Sequence, residues 1–169
     1  HFGAVEVPWL YIIFVDILLM GMCNAVNLTD GLDGLAAGTV MVVMLVMAMV
    51  AFRYQEINLA IFAASIAGAC VGFLWHNCYP ATIFMGDTGS LALGASFAAL
   101  AILTKTEVTS LIMGGLFIAE AISVIIQLII GIILGGLAGY FGGWVDNIIM
   151  RISEVVGGLP FLPYAMILS

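Results

Sequence analysis

Long apolar runs separated by short polar stretches make up most of the chain. They cover residues 7–23, 35–52, 57–75, 91–103, 111–134 and, more briefly, 159–168. Most approach the roughly 20 residues that a helix rising about 1.5 Å per residue needs to cross about 30 Å of hydrocarbon. Because backbone groups in lipid must be paired within their own segment, these runs predict helices rather than strands. The expected fold is an all-α polytopic membrane bundle with five spanning helices and a truncated sixth.

The composition agrees with a membrane protein. Of the 169 residues, 64% are hydrophobic and 8% are charged, and the mean hydropathy is +1.28. The net charge of -7 mostly reflects a shortage of bases, since Lys and Arg together number three, and it argues against a nucleic-acid partner. Cys23, Cys70 and Cys78 lack the paired spacing of a metal site and are expected to pack as small apolar side chains. The first residue is His1 instead of Met, which suggests a fragment.

Polar residues are concentrated in two of the connections between the apolar runs. The connections are residues 24–34, 53–56, 76–90, 104–110 and 135–158. Because spanning helices alternate in direction, the first and third connections are expected on one membrane face and the second and fourth on the other. The first and third hold the polar side chains that suit chemistry: Asn24, Asn27, Asp30, Asp33, His76, Asn77, Asp87, Thr88 and Ser90. The second and fourth hold ordinary solvated charges: Arg53, Glu56, Lys105 and Glu107.

This arrangement predicts chemistry on one membrane face only. Arg53 and Lys105 lie on the opposite face, so the positive-inside tendency weakly favours placing the polar connections outside the cell. Two charges are too few to decide the orientation.

The stretch TDGLDG places Asp30 and Asp33 three residues apart. One helical turn would put both carboxylates on the same side, and Gly31 and Gly34 would let a ligand approach the backbone. The alternative is a turn followed by a helix N-cap, which these residue types also favour. A cap needs only one such residue, so the surplus of polar side chains favours a functional site.

The stretch GDTGS also opens a helix, with Thr88 and Ser90 as candidate caps and Asp87 in the first turn. With two spans between the stretches, Asp30, Asp33 and Asp87 are expected at one face. Several carboxylates without nearby bases repel one another unless a hard cation lies among them, and oxygen ligands suit Mg²⁺. Because Mg²⁺ is usually shared with substrate phosphates, the simplest ligand is a diphosphate.

NAVNLTDGLDGLA and NCYPATIFMGDTGSLALG closely resemble the phospho-N-acetylmuramoyl-pentapeptide transferase family of the polyprenyl-phosphate phosphosugar transferases. TKTEVTSLIMGGLFIAEAISVIIQ continues the similarity, which covers about residues 8–127. The resemblance implies a magnesium-dependent enzyme of peptidoglycan synthesis. In that reaction undecaprenyl phosphate attacks UDP-N-acetylmuramoyl-pentapeptide and UMP is released. It further implies a multi-pass protein of the bacterial inner membrane with a cytoplasmic active face, and it leaves open whether the protein is a homo-oligomer.

The resemblance also implies roles for individual residues. Asp87 is similar to the family's magnesium ligand, and Asp30 and Asn27 to its catalytic-site residues. The uridine-binding part is expected at Gly31, Leu32 and Asp33, with Phe84 as the aromatic side chain that stacks on uracil. Phe84 is assigned by the resemblance alone, because a single aromatic residue would otherwise be interpreted as packing.

Two departures from the family pattern limit this expectation. The family's paired-aspartate loop lies upstream of His1, and its histidine-rich loop does not follow SVIIQ. The chain alone is therefore expected to be incomplete and inactive. Residues 134–169 instead resemble a permease subunit of peptide-type ATP-driven importers, which suggests a chimeric join and two domains, residues 1–127 and 128–169. There are two alternative functions: an importer component that binds an ATPase, and a non-functional helical bundle.

Three further polar residues are expected to be structural. Asp16 and Glu120 lie inside predicted spans, where ionised groups are costly and often functional. His76 precedes NCYP and is expected at a helix end near the membrane surface. The pattern assigns none of the three a role in catalysis.

Overall fold

The computed structural model describes residues 8–157, which form helices and connections without a β-strand. The helices are α1 (Pro8–Thr29), α2 (Leu35–Arg53), α3 (Ile57–Asn77), α4 (Gly86–Leu103), α5 (Glu107–Met113), α6 (Gly115–Phe141) and α7 (Gly143–Gly157). Five of them, α1 to α4 and α6, are long and apolar enough to cross a membrane. The all-α polytopic bundle is confirmed. The predicted sixth span, at residues 159–168, lies outside the described residues.

Several predicted connections are in fact helical. Helix α1 continues to Thr29, although the polar stretch from residue 24 was expected to be a loop. The polar side chains do not break it because they bond to its own carbonyls: Asn24 Nδ2 donates to Met20 O and Thr29 Oγ1 to Ala25 O, both at 2.8 Å. Helix α4 begins at Gly86, five residues before its apolar run, which agrees with the expectation that GDTGS opens a helix with Asp87 in the first turn.

The predicted connection at residues 135–158 is also wrong. Helix α6 runs through Gly135 and Gly136 to Phe141, and α7 fills the rest of the stretch that the structure describes. Glycine weakens a helix in water, but a segment within lipid has no other way to pair its backbone groups. The short helix α5 likewise occupies most of the predicted fourth connection.

Helix α1 packs against α4, and α2 packs against α3. The first contact is very close at Gly94, where an added Cβ would lie 2.7 Å from both Cys23 Cα and Met22 O. The C-terminal half of α1 therefore lies against the N-terminal half of α4, and the two helices are antiparallel. The buried core of this bundle includes Phe97 and Phe117, whose rings meet edge to face at 6.4 Å.

The chain divides into two compact units that meet between Ser123 and Val124, inside α6. The first contains α1 to α5 and the start of α6, and the second contains the remainder of α6 and α7. The domain boundary predicted near residue 127 stays a prediction.

Candidate functional site

The antiparallel contact between α1 and α4 brings three polar side chains together at one end of the bundle. The Asn27 amide Nδ2 on α1 donates to Asp87 Oδ1 at 3.1 Å and to Ser90 Oγ at 2.9 Å. Ser90 is buried, and its hydroxyl donates to Gly86 O at 3.1 Å. Asn27 thus fixes the exposed Asp87 carboxylate through one oxygen. No hydrogen bond within residues 8–157 engages the other oxygen.

Asp30 lies beside this group, in the turn that follows α1. Partial burial raises the pKa of the Asp30 carboxyl, the nearby backbone of Gly86 opposes the rise, and the nearby Asp87 carboxylate adds to it. Asp30 therefore lies close in space to Gly86 and Asp87, at the first turn of α4. Two carboxylates from different connections therefore share one small region.

Asp33 contacts a different part of the third connection. Its Oδ2 accepts the Ala81 N–H at 3.0 Å. The predicted helical turn through Asp30 and Asp33 is wrong, because both residues lie in an irregular turn between α1 and α2. Asp33 accepts a hydrogen bond from the loop that precedes α4, whereas Asp30 lies beside the first turn of α4 itself. The two carboxylates thus differ in their partners.

The capping explanation of these polar residues fails. The N-cap residues are Gly34 for α2 and Met85 for α4, and neither caps its helix through a side-chain hydrogen bond. Thr88 and Ser90, the expected caps, lie inside α4. Gly34 has φ 75° and Gly86 has φ 66°, so both polar connections enter the next helix through a left-handed backbone conformation that favours glycine.

Asn77 joins the two connections, although the sequence pattern named it only among the polar residues of the third connection and gave it no specific role. Only 3% of it is exposed. Its Oδ1 accepts the Gly34 N–H at 3.1 Å, and its Nδ2 donates to Ile83 O at 2.9 Å. The available signal was its position at a helix end within a polar stretch. That signal does not reveal its partners, which belong to residues 43 positions before it and 6 after it.

The structure leaves the expected nucleotide-binding residues accessible. Gly31 and Leu32 are exposed, and Phe84 is 72% exposed. The Phe84 ring makes no aromatic contact among residues 8–157. An open aromatic face beside a polar turn can stack on a flat ligand. The contacts around Asp33, Asn77 and Asp87 confirm that the first and third connections lie at the same end of the bundle.

The donor set suits a cation shared with a ligand better than a cation held by protein alone. Within residues 8–157, no group of three or more His, Cys, Asp or Glu side chains is placed to hold a metal ion. Asp30 and Asp87 supply a pair of carboxylates that lie close enough to repel each other. One or two carboxylates completed by phosphate oxygens and water is the usual surrounding of Mg²⁺. These residues therefore fit Mg²⁺ with a bound phosphate group.

The other polar residues singled out in the sequence lie away from this group. Asp16 is exposed on α1, and Glu120 is partly buried on α6; neither side chain makes a hydrogen bond within the described residues. The His76 carbonyl accepts the Thr82 N–H at 2.8 Å and the Thr82 hydroxyl at 3.1 Å, so the backbone at His76 shapes the loop. This agrees with the helix-end position that was expected for His76.

The chain resembles known bacterial proteins over most of its length. It is 52% identical over 123 residues to the phospho-N-acetylmuramoyl-pentapeptide-transferase of Shouchella clausii, a match that covers 73% of this chain and 38% of the relative. The protein of the same name from Bacillus pumilus is 50% identical over 124 residues, with the same shares covered. That of Acetivibrio thermocellus is 50% identical over 127 residues, covering 75% of this chain and 38% of the relative. The chain thus spans well under half the length of these relatives.

These comparisons give no support to the permease resemblance expected from residue 134 onward, and that resemblance stays a prediction. The family described as glycosyl transferase family 4 matches residues 1–105. The match includes both polar connections and the side chains that meet between them. Sequence and geometry agree on the same region, and this multi-pass membrane chain belongs to glycosyl transferase family 4.

Proposed function

We propose that the protein takes part in the transfer of phospho-N-acetylmuramoyl-pentapeptide from its UDP derivative to undecaprenyl phosphate, with release of UMP. The observation that carries this proposal is the placement of Asp30 and Asp87 around Asn27, whose backbone carbonyl accepts the Asp30 N–H at 3.1 Å and whose amide donates to Asp87 Oδ1 at 3.1 Å. The relatives of this chain bear that activity in their names. An acidic pair at a membrane surface suits a diphosphate substrate only if a cation offsets the repulsion.

In this proposal Asp87 and Asp30 hold Mg²⁺, which would offset negative charge on the phosphates during transfer. Asn27 has a positioning role, because its amide fixes one oxygen of Asp87 at 3.1 Å. The same Asn27 Nδ2 also donates to Ser90 Oγ at 2.9 Å, which helps to hold the amide in place. The Asp87 carboxylate is thereby oriented before any ligand arrives, which lowers the entropic cost of assembling the site.

The same proposal places the uridine part of the substrate at the turn after α1. Gly31 and Leu32 offer an exposed backbone, and the exposed Phe84 ring offers a face on which uracil can stack. Asp33 accepts the Ala81 N–H and so holds the Phe84 loop near this turn. The active end then faces the cytoplasm of the bacterial inner membrane, where a water-soluble UDP-sugar is available.

The first prediction tests the metal and the nucleotide together. Binding of UDP-N-acetylmuramoyl-pentapeptide to the purified chain in detergent is measured by titration calorimetry, with Mg²⁺ and with a chelator. Mg²⁺ is expected to tighten binding by about tenfold, a change of about 1.4 kcal/mol, because phosphate oxygens complete the ion's shell. Asp87→Asn should abolish this gain, since the substitution removes a charged ligand.

Asp146→Asn is the matched control, because Asp146 is an exposed carboxylate in α7, far along the chain from both connections. It should keep the full effect of Mg²⁺. A GDP-linked sugar should bind more weakly than the UDP-linked one. Absence of UDP-sugar binding with Mg²⁺ present would overturn the proposed function, whereas a full Mg²⁺ effect in Asp87→Asn would overturn only the ligand assignment.

A further inference from the structure

The boundary between α6 and α7 is a sharp turn made by two glycines. Gly142 has φ 58° and Gly143 has φ 52°, both in the left-handed region that other residues rarely adopt. Helix α6 ends at Phe141, and α7 begins at Gly143. The two helices do not pack side by side. The axis of α7 thus turns away from the direction of α6 within one residue.

Helix α6 fixes the depth at which this turn occurs. It is apolar enough to cross a membrane, and most of its surface is exposed rather than packed on protein. A helix that leaves the hydrocarbon must deliver the following residue to the boundary between lipid and water. Because α6 is long enough to cross about 30 Å of hydrocarbon, the first residues of α7 are expected at that boundary or just beyond it.

Helix α7 has two distinct faces. At 100° per residue, five of its apolar side chains fall within an arc of about 140°, and Met150 is the exception on the opposite side. The five are Trp144, Val145, Ile148, Ile149 and Ile152. The polar side chains fall on the other side: Asp146, Asn147, Arg151, Ser153 and Glu154. Helices α1 to α4 have no such separation, because lipid and protein together surround them with apolar groups.

Aromatic residues cluster at the start of this helix. The rings of Tyr140 and Phe141 meet edge to face at 5.0 Å, and Trp144 is 83% exposed. Tyr and Trp are enriched where hydrocarbon meets headgroups, because their rings are apolar and their N–H or O–H groups are polar. The turn between α6 and α7 thus carries the side chains that are typical of a membrane interface.

The charges of α7 argue against an electrostatic partner. Arg151 Nη1 pairs with Glu154 Oε2 at 2.9 Å, which leaves Asp146 as the remaining charged residue of the helix. A helix that binds an anionic surface through charge carries several Lys or Arg residues on its polar face. The apolar face is the feature that needs a partner, and the lipid around α6 is continuous with it.

We propose that α7 is an interfacial helix that lies along the membrane surface, with its apolar face buried in lipid and its polar face in water. A helix of this kind places its apolar side chains about 5–10 Å below the level of the headgroups. The partner is the acyl-chain region of any phospholipid, and anionic lipid is not required.

The depth of Trp144 tests the proposal. The chain has three tryptophans, so Trp9 and Trp75, both exposed, are replaced by Phe to leave Trp144 as the only reporter. The protein is reconstituted into phosphatidylcholine vesicles whose acyl chains carry bromine either near the headgroup or near the bilayer centre. Bromine near the headgroup should quench Trp144 more strongly than bromine at the centre, and aqueous iodide should quench it weakly.

Two substitutions to glutamate, one on each face of α7, test which face contacts lipid. Ile148 and Met150 are 47% and 55% exposed, but Ile148 lies on the apolar face and Met150 on the polar face. Ile148→Glu should reduce lipid quenching of Trp144 by about half and increase quenching by iodide, because a carboxylate resists burial in lipid. Met150→Glu should change neither.

Three outcomes would overturn the proposal. Weak quenching by both bromine positions would mean that water or protein covers Trp144. Stronger quenching from the bilayer centre would mean that α7 inserts across the membrane. Equal effects of Ile148→Glu and Met150→Glu would mean that the apolar face has no special partner. The first measurement needs no glutamate variant, so it decides the proposal even if Ile148→Glu does not fold.

Discussion

The side chain of Asn77 uses both of its functional groups to hold the candidate site in shape. Its carbonyl oxygen accepts a backbone N–H from the turn after α1, and its amide donates to a backbone carbonyl in the loop before α4. Asn77 is buried, and both of its hydrogen bonds are partly buried, so water reaches them poorly. Asp33 adds a parallel tie between the same two segments. The relative position of the turn and the Phe84 loop therefore depends on these two residues.

Asn77→Ala should loosen that arrangement. It removes the partners of the Gly34 N–H and the Ile83 carbonyl in a partly buried place, at a cost of about 1 kcal/mol. Affinity for the UDP-sugar should then fall severalfold. Amide hydrogen exchange in detergent should accelerate at residues 30–34 and 81–85.

Asn24→Ala is the control, because exposed Asn24 donates only to Met20 O within its own helix. It should change neither nucleotide affinity nor exchange at these segments. Equal behaviour of the two variants would show that Asn77 does not position the loops.

At this scale the sequence predicted which polar residues would gather, but not their contacts. Alternation of the spans was enough to bring Asp30 and Asp87 to one end, because that inference needs only the number of crossings between them. The bonds of Asp33 and Asn77 depend on how two irregular segments fold against each other. Neither periodicity nor residue type specifies that conformation.

At the level of elements, the contact between α1 and α4 positions the site. Gly94 allows the two backbones to approach closely, and Asn27 meets Asp87 and Ser90 about one to two turns nearer to the polar end. Small residues permit such approach between helices in lipid, where packing rather than the hydrophobic effect holds helices together. The Asn27–Asp87 bond therefore depends on a residue near the middle of α4.

Gly94→Ala should push α1 and α4 apart. The added Cβ would meet backbone atoms at 2.7 Å, which no side-chain rotation can relieve. We expect a loss of about 1–3 kcal/mol in stability, typical of overpacking, together with weaker UDP-sugar binding. Stability is measured by denaturation of the detergent-solubilised chain with increasing fractions of sodium dodecyl sulfate.

Gly72→Ala on α3 is the matched control, because no heavy atom outside the local backbone lies within 4 Å of the added Cβ. It should be neutral or gain up to about 1 kcal/mol from higher helix propensity. If both variants denature at the same point, the contact at Gly94 does not limit the approach of the helices.

The sequence predicted the existence of the five spanning helices, but several of their ends were misplaced. Polarity was the criterion for ending a span, and it failed at residues 24–29 because those side chains bond to carbonyls of their own helix. The predicted span also ended at Leu134, before a glycine-rich stretch, whereas α6 continues to Phe141 because a backbone within lipid stays helical despite glycine. Composition predicts where hydrocarbon is crossed more accurately than where a helix stops.

At the scale of the whole molecule, the two ends of the first unit differ in charge. Asp30, Asp33 and Asp87 gather at one end, whereas Arg53 lies with Thr106 around a shallow surface depression at the other. The alternating spans produce this separation without any long loop. The proposed function places the acidic end in the cytoplasm, against the weak expectation from Arg53 and Lys105, and the orientation is open to direct measurement.

The natural cysteines make that measurement possible. Cys78 is exposed in the loop beside Asn77, whereas Cys70 is buried and Cys23 is partly buried. In sealed inside-out vesicles, a membrane-impermeant maleimide should label Cys78 directly, because the proposed function places this loop on the cytoplasmic face.

In a Cys78→Ser background, Tyr54→Cys places an exposed thiol in the connection between α2 and α3. That thiol should react only after the vesicles are opened by detergent, since α3 separates the two positions by one crossing. Labelling of both positions from the same side would contradict the bundle topology, and labelling of each from the opposite side would contradict only the cytoplasmic placement.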